Sequence, residues 1–333
     1  MKVLVTGGAG FIGSNLSAFL INKGAKVTIL DDFSQGVMEN IKHLKADLIK
    51  GRVEDEALIN SLTDKGFDCI FHQAALTDTT IDSLEKMMEV NVDGFKNILN
   101  LAVKEKARVV YASSAGTYGR GPVPMKESQE LFPLNAYARS KVKMDEMAQD
   151  FARETNLNII GLRYFNVYGP GEQDKGKSAS MIGQLADQMK AGKSPRIFKY
   201  GQQKRDFIYV KDVVAANIKA MEWTQNKIPN GLSQNKSTEE KHIDTETQKS
   251  KVYFKTTSNF MIANVGTGQM TSFNRIIEIL NKTLNTNYDP EYFDNPYGFC
   301  QDYTQADTNL AEQVLGFKAR FNIEEGIKDY LKG

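Results

Sequence analysis

The stretch "KVLVTGGAGFIG", residues 2–13, runs from β-branched and aliphatic side chains straight into glycines. A short apolar run closed by glycine reads as a buried strand ending in a turn. Gly7, Gly10 and Gly13 are spaced three apart, and Gly8 also permits a GxGxxG reading. Glycine allows the tight turn, lets the backbone approach a pyrophosphate, and permits close helix–sheet packing. "FIGSNLSAFLINKG" (11–24) then reads as a helix whose first amides face an anion. A packing-driven turn would show the same glycines, so an acid at the end of the next strand separates the two readings. In "TILDDFSQG" that acid is Asp31, 18 residues beyond Gly13. A carboxylate there accepts from both ribose hydroxyls of an adenosine and favours NAD over a 2′-phosphate. Asp32 reads as its solvated or turn-forming neighbour, and Arg52 as a surface arginine or a tilt towards NADP.

Outward from this turn the pattern repeats. "KVTIL" (26–30), "CIFHQA" (69–74) and "RVVYASS" (108–114) read as buried strands, with a helical run such as "MMEVNVDGFKNILNLAVKEK" (87–106) among the segments between them. Strand–helix alternation implies an α/β fold with a doubly wound parallel sheet. "LNIIGLRYFNVYGPG" (157–171) adds one strand before a Gly/Pro break. Beyond it, "SASMIGQLADQMKAGK" (178–193) and "SFNRIIEILNKTLN" (272–285) look helical in a smaller mixed α/β lobe. The expected division is a dinucleotide-binding domain over 1–165, to which 206–223 and 260–266 return, and a substrate lobe over 166–205 and 267–333. The polar stretch 224–259, including "NKSTEEKHIDTETQKSK", buries too little to order itself and reads as a mobile insertion, with "KVYFKTT" read as a strand within it.

Composition narrows the class. The 333 residues are 41% hydrophobic and 25% charged with a formal net charge of +1, which argues against nucleic acid or an anionic membrane as the main partner. No apolar run reaches membrane-spanning length, and the two cysteines, Cys69 and Cys300, point to a reducing cytoplasm rather than a disulfide framework. No His/Cys cluster has metal-ligand spacing, so no metal is expected.

Two further strings carry chemistry. "YASSAGTYG" (111–119) is a strand end expected to deliver Ser113, Ser114 and Thr117 into the crevice where ligands of open α/β sheets bind. "NAYARSK" (135–141) sets Tyr137 four residues ahead of Lys141 on one helix face. A surface helix would offer such a pair by chance. Behind a dinucleotide turn and a hydroxyl-rich strand end, it reads as an acid/base tyrosine whose high pKa a neighbouring ammonium lowers together with the positive charge of an oxidised nicotinamide.

Together the glycine turn, the strand end and the Tyr137/Lys141 pair resemble the extended short-chain dehydrogenase/reductases, in particular their nucleotide-sugar epimerase and dehydratase branch. "FHQAALTDTT" (71–80), "GLRYFNVYGPGEQDKGKSAS" (161–180), "KRDFIYVKDV" (204–213) and "YTQADTNL" (303–310) are similar to the ADP-glycero-manno-heptose 6-epimerases of that branch. The resemblance implies a tightly held NAD(P) that accepts and returns hydride while a planar ketone turns over. It implies catalytic roles for Ser114, Tyr137 and Lys141, and a second acid/base in Lys175. It places Gly7, Gly10, Phe11, Ile12, Gly13, Asp31, Asp32, Gln73, Ala74, Ala75, Leu76, Thr77, Asn91, Lys141 and Val167 around the cofactor. It places Ser114, Asn166, Lys177, Gln184, Phe198, Lys199, Tyr200, Gly201, Arg205 and Cys300 around a nucleotide sugar. Arg205 grips a phosphate or pairs with Asp206.

There are departures from the heptose pattern. Met38 stands where a lysine faces the adenosine 2′-phosphate, Cys300 where a tyrosine is usual, and Gln184 where a histidine is usual. Family resemblance thus points to NADP, and Asp31 with Met38 to NAD. A UDP-hexose 4-epimerase is the nearest alternative, a non-catalytic NAD(P)-binding module a remoter one. The Asp–Glu pair of the dehydratases is missing from "SSAGTYG". Apolar faces on the helices near 84–106 and 137–155 suggest a homo-oligomer.

Overall fold

β1 (Lys2–Thr6) lies in the interior of a seven-stranded sheet, flanked by β2 (Lys26–Asp31) and β4 (Cys69–His72). β3 (Asp47–Lys50) forms one edge, and β5 (Arg108–Ser114), β6 (Ile159–Tyr164) and the strand Phe260–Val265 complete the other side. Every pairing is parallel. The computed structural model describes residues 1–78, 81, 83–224, 243–244, 249–250, 254, 256–294 and 301–332.

A parallel sheet covered on both faces wants apolar side chains on both sides of each strand. β4 and β6 are buried along their whole length. On one face Val3, Val5, Phe71 and Leu162 pack with Leu16 and Leu20 of α1 (Phe11–Asn22), and with Val213, Val214 and Ala216 of α7 (Val210–Met221). On the other, Leu4, Ile70 and Val109 pack with Phe95, Ile98 and Leu99 of α4 (Gly94–Glu105) and with Met144 and Ala148 of α5 (Ala136–Thr155). The apolar faces of α4 and α5 therefore cover their own sheet; Val103 on α4, and Leu84 just upstream on α3 (Leu84–Met87), stay exposed.

Four local features differ from the sequence reading. β3 has the exposure of an edge strand, with no continuous apolar run to announce it, and is followed by the short α2 (Glu56–Asn60). The helix expected over 87–106 is α3 and α4 joined through a π-helical turn at Met88–Asp93. The single strand expected over 157–171 is β6 and a second strand, Asn166–Tyr168, separated at Phe165, whose N–H donates to Val265. Within 206–223, α7 packs on the large sheet, while Phe207–Tyr209 pairs with Asn166–Tyr168 in a separate two-stranded sheet.

The remaining core gathers α6 (Met181–Lys190), α8 (Phe273–Leu284) and α9 (Ile323–Lys332) through Ile182, Leu185, Ile276, Leu280 and Ile327. Lys249–Ser250 pairs with Ile243–Asp244; most of the polar stretch 224–259 lies outside the described residues. Among the described residues no helix is long and apolar enough to cross a membrane.

Candidate active site

The glycine turn is required where it stands. Gly7 has φ +65°, and a Cβ there would lie 2.6 Å from the Ala74 nitrogen. A Cβ on Gly13 would lie 2.1 Å from the Gly7 carbonyl oxygen, so α1 can sit this close to the turn only with glycine at that position. Gly10 caps α1 without any side-chain acceptor. The first amides of the helix, at Phe11 and Ile12, thus look outward as an anion-binding end.

A cleft of about 240 Å³ opens there, lined by Gly7, Gly10, Phe11, Ile12, Gly13, Asp31, Asp32, Gln73, Ala74, Ala75, Leu76, Thr77 and Lys175. Its walls also include Ser34, Gln35, Gly36, Arg52, Val53, Glu54, Lys86 and Val90. Asp31 is buried at the end of β2; its Oδ2 accepts from the Ala9 N–H at 2.9 Å and its Oδ1 from the Phe33 N–H at 2.9 Å. Burial pushes its carboxyl up, against the pull of those two amides. Two amides leave lone pairs on both oxygens for a diol. Asp32 sits at the rim. Partial burial opposes its charge, but Ser34 and Arg52 hold its carboxyl below the usual range. Arg52 reaches both Asp32, at 3.4 Å, and Glu54, at 3.5 Å.

The second group lies on α5. Asn135 caps this helix by accepting the Ala138 N–H at 2.8 Å, which fixes the first turn carrying Tyr137. Lys141 is only 1% exposed; its Nζ donates to the Ala112 carbonyl at 2.8 Å and stands 5.7 Å from the centroid of the Tyr137 ring. Burial pulls the Lys141 ammonium down to about 8, with Asp145 opposing. Burial pushes the Tyr137 phenol up to about 12, with a hydrogen bond from Ser114 opposing. The lowering expected from the sequence counts an oxidised nicotinamide beside the ammonium; for the chain alone, burial dominates. An ammonium four residues away is outweighed when the phenol is taken out of water.

The hydroxyl-rich strand end is also sorted by the fold. Ser114 is half-buried beside Tyr137, but Ser113 points to the other face of β5 and is buried. Thr117 is buried too, its Oγ1 donating back to the Ser114 carbonyl at 2.8 Å. Neither is delivered into the crevice as expected.

Asn91 ties the two groups together. It is fully buried in the π-helical turn; its Oδ1 accepts the Leu76 N–H at 2.7 Å, and its Nδ2 donates to the Leu76 carbonyl at 3.2 Å and to Ser140 Oγ at 2.9 Å. Ser140 Oγ in turn donates to the Tyr137 carbonyl at 2.7 Å. The register shift of a π-turn is what lets one side chain reach both the cleft wall and α5.

Lys175 reaches the cleft from a distant loop, its Nζ 5.6 Å from the centroid of the Phe11 ring. Burial lowers its ammonium pKa, with Glu172 opposing. Asn166 and Val167 lie on the strand beside Phe207–Tyr209; Asn166 is exposed and accepts from Thr304 Oγ1 at 3.2 Å. Gln184 donates to the Ala179 carbonyl at 2.8 Å. Phe198 meets Phe293 edge-on at 4.9 Å, and Tyr200 is 65% exposed in the turn with Gly201. Arg205 donates to the Asp302 carbonyl at 2.7 Å, whereas Asp206 is buried among the amides of Thr267, Gly268 and Ala306. Cys300 lies outside the described residues, as do the side chains of Lys177 and Lys199.

Sequence reasoning missed Gly36, where a Cβ would lie 2.7 Å from Asp31 Oδ1; the glycine five residues after the acid was its only signal. It also missed Glu172 and the buried pair Asp145–Arg163, whose sequence settings look like an ordinary loop, helix and strand.

Residues 3–232 match the NAD dependent epimerase/dehydratase family. The chain is 34% identical to the ADP-L-glycero-D-manno-heptose-6-epimerase of Brachyspira hyodysenteriae, covering 98% of this chain and 96% of that protein. The crystal structure of the Helicobacter pylori ADP-L-glycero-D-manno-heptose-6-epimerase superposes with a TM-score of 0.83 at 36% identity, covering 99% of this chain and 95% of that one. The Thermotoga maritima UDP-glucose 4-epimerase with UDP-glucose gives a TM-score of 0.85 at 28% identity, over 100% and 98% of the two chains.

Proposed function

Because this chain belongs to the NAD dependent epimerase/dehydratase family, we propose that it inverts a secondary alcohol centre of a nucleotide sugar, with ADP-glycero-manno-heptose, epimerised at C6, as the favoured substrate. The observation that carries the reading is Lys175 sharing one cleft with the glycine turn, while Tyr137 and Lys141 stand on the helix tied to that cleft by Asn91. A C–H beside a hydroxyl is not acidic, so inversion calls for oxidation and re-reduction. The dinucleotide held by the glycine turn supplies a reversible hydride acceptor. The chain's own residues handle the protons. Tyr137, aligned by Ser114, takes the hydroxyl proton on one face, and Lys175 serves as acid/base on the other. Lys141 sets the phenol's electrostatics. Asn166 and Arg205 face the sugar diphosphate, with Tyr200 and Phe198 along the nucleotide.

NAD is the preferred dinucleotide in this reading. The buried Asp31 carboxylate and its rim partner Asp32 repel a 2′-phosphate, and Arg52 is already shared between Asp32 and Glu54. Leu84 and Val103, exposed beside the helices that cover the sheet, support self-association.

The test is to incubate the purified protein with ADP-glycero-manno-heptose and, separately, with UDP-glucose, following stereoisomer exchange by NMR. Exchange of the heptose alone bears the reading out, and exchange of the hexose alone replaces it with the 4-epimerase. Exchange of neither points to a binding module. Mass measurement of the nucleotide released on denaturation decides between NAD and NADP.

A further inference from the structure

Lys175 sits on a segment that the backbone alone would leave loose. Gly169, Gly171 and Gly176 all have positive φ, and glycine-rich loops lose the most conformational entropy on ordering. Glu172 lies at the centre of this segment and is 1% exposed. Its Oε1 accepts the Gly169 N–H at 3.1 Å and the Ser180 hydroxyl at 2.9 Å; its Oε2 accepts the Ser180 N–H at 2.6 Å. The Tyr330 hydroxyl of α9 adds a further hydrogen bond. One carboxylate thus grips the loop where it leaves the strand Asn166–Tyr168 and where it meets the cap of α6. Between these points, the Lys175 N–H donates to the Glu172 carbonyl at 3.0 Å, and Asn15 of α1 donates to the Pro170 carbonyl at 2.8 Å.

We propose that Glu172 is the positioning residue for Lys175: its buried carboxylate staples the 169–180 loop shut and so holds the Lys175 ammonium over Phe11 at the cleft. The inference rests on Lys175 being the second acid/base. Glu172 acts in two ways, by geometry through its loop hydrogen bonds and by charge on the ammonium three residues on. The other charged residues of the same loop and cleft are Asp174 on the loop and Asp31, Asp32, Arg52, Glu54 and Lys86 on the cleft walls; substitution of Glu172 leaves all of them in place.

The two effects give a readout that a loosened loop would not. In Glu172→Gln the negative charge that props up the lysine is gone, so the pH limb assigned to Lys175 moves to lower pH. A merely floppy loop would expose the ammonium to water and move that limb to higher pH. Misplacing an acid/base group by an ångström costs about 100-fold in rate. The expected result for the holoenzyme is therefore a loss of epimerisation of about that size in Glu172→Gln, unchanged dinucleotide content, and no further loss when the same change is made in Lys175→Ala. Tyr330→Phe, which removes one hydrogen bond from the carboxylate, is expected to lose about fivefold, again only while Lys175 is present. It serves as the test should Glu172→Gln not fold. An equal loss in the Lys175→Ala background, an upward limb shift, or full activity in both variants overturns the proposal. Full turnover in Lys175→Ala itself would instead reject the acid/base reading beneath it.

Discussion

Replacing Lys141 by methionine removes one charge from beside Tyr137 while keeping the length and apolar character of the buried stem. The ammonium stands 5.7 Å from the Tyr137 ring centroid. At an effective dielectric of about 20, a unit charge at that distance is worth about 3 kcal/mol to a phenolate, equivalent to about two pKa units or 100-fold in rate. The sign follows from the two groups. Burial pushes the phenol up to about 12 against the hydrogen bond from Ser114, so removing the ammonium takes the base form still further out of reach. That ammonium is itself pulled down to about 8, so its help is present below that pH and withdrawn as pH rises through it. The other groups acting on it are Asp145 on its own helix, which is itself bound by Tyr111 of β5 and Arg163 of β6, and His72 on β4; burial and the Lys141 charge keep His72 near 3, hence neutral.

The expected profile is a bell for wild type. For Lys141→Met it is a curve lower by about 100-fold at neutral pH that climbs with pH, lacks the falling limb near 8, and closes on wild type in alkali. The assay is steady-state and single-turnover epimerisation across pH 6–10, with dinucleotide content checked at each point. A uniform loss with unshifted limbs would refute the electrostatic argument and leave Lys141 a packing residue.

Three other outcomes follow from the same geometry. Lys175→Ala should suppress epimerisation by about 10²–10⁴-fold while dinucleotide content stays at the wild-type level, with unaltered turnover rejecting the second acid/base. Gly13→Ala forces a Cβ to within 2.1 Å of the Gly7 carbonyl and should cost about 1–3 kcal/mol of stability together with dinucleotide affinity, read by thermal melting and cofactor fluorescence titration. Asn91→Leu leaves Leu76 and Ser140 without their buried partner and should destabilise by about 2–4 kcal/mol in urea unfolding, with turnover lost in parallel.

The sheet was legible because its signals are local. Short runs of β-branched and aliphatic residues ending in small or turn-forming ones say strand wherever they occur, and Gly7 and Gly13 are required by contacts within their own turn or with the adjoining strand end. The 3.6-residue period placed Tyr137 and Lys141 on one helix face for the same reason. What escaped was set by partners distant in the chain. β3 carries no apolar run because an edge strand is only half covered. Ser113 and Ser114 differ only in which side of β5 they face. Asn91 finds its role through a helical irregularity that no residue type announces. For Tyr137, spacing reports which groups are near, not how much water is removed from them.

From sequence alone this chain was bound to be a dinucleotide-turn α/β protein with a tyrosine and a lysine in step on one helix, since turn sterics and helical period need only neighbouring residues. Tertiary structure alone decided that Lys175 meets the glycine turn across one cleft and that Glu172 holds its loop. It also decided that Tyr137 sits where burial outweighs a nearby charge. Distance and desolvation are properties of what packs against a residue, and the packing partners here lie tens to hundreds of residues away.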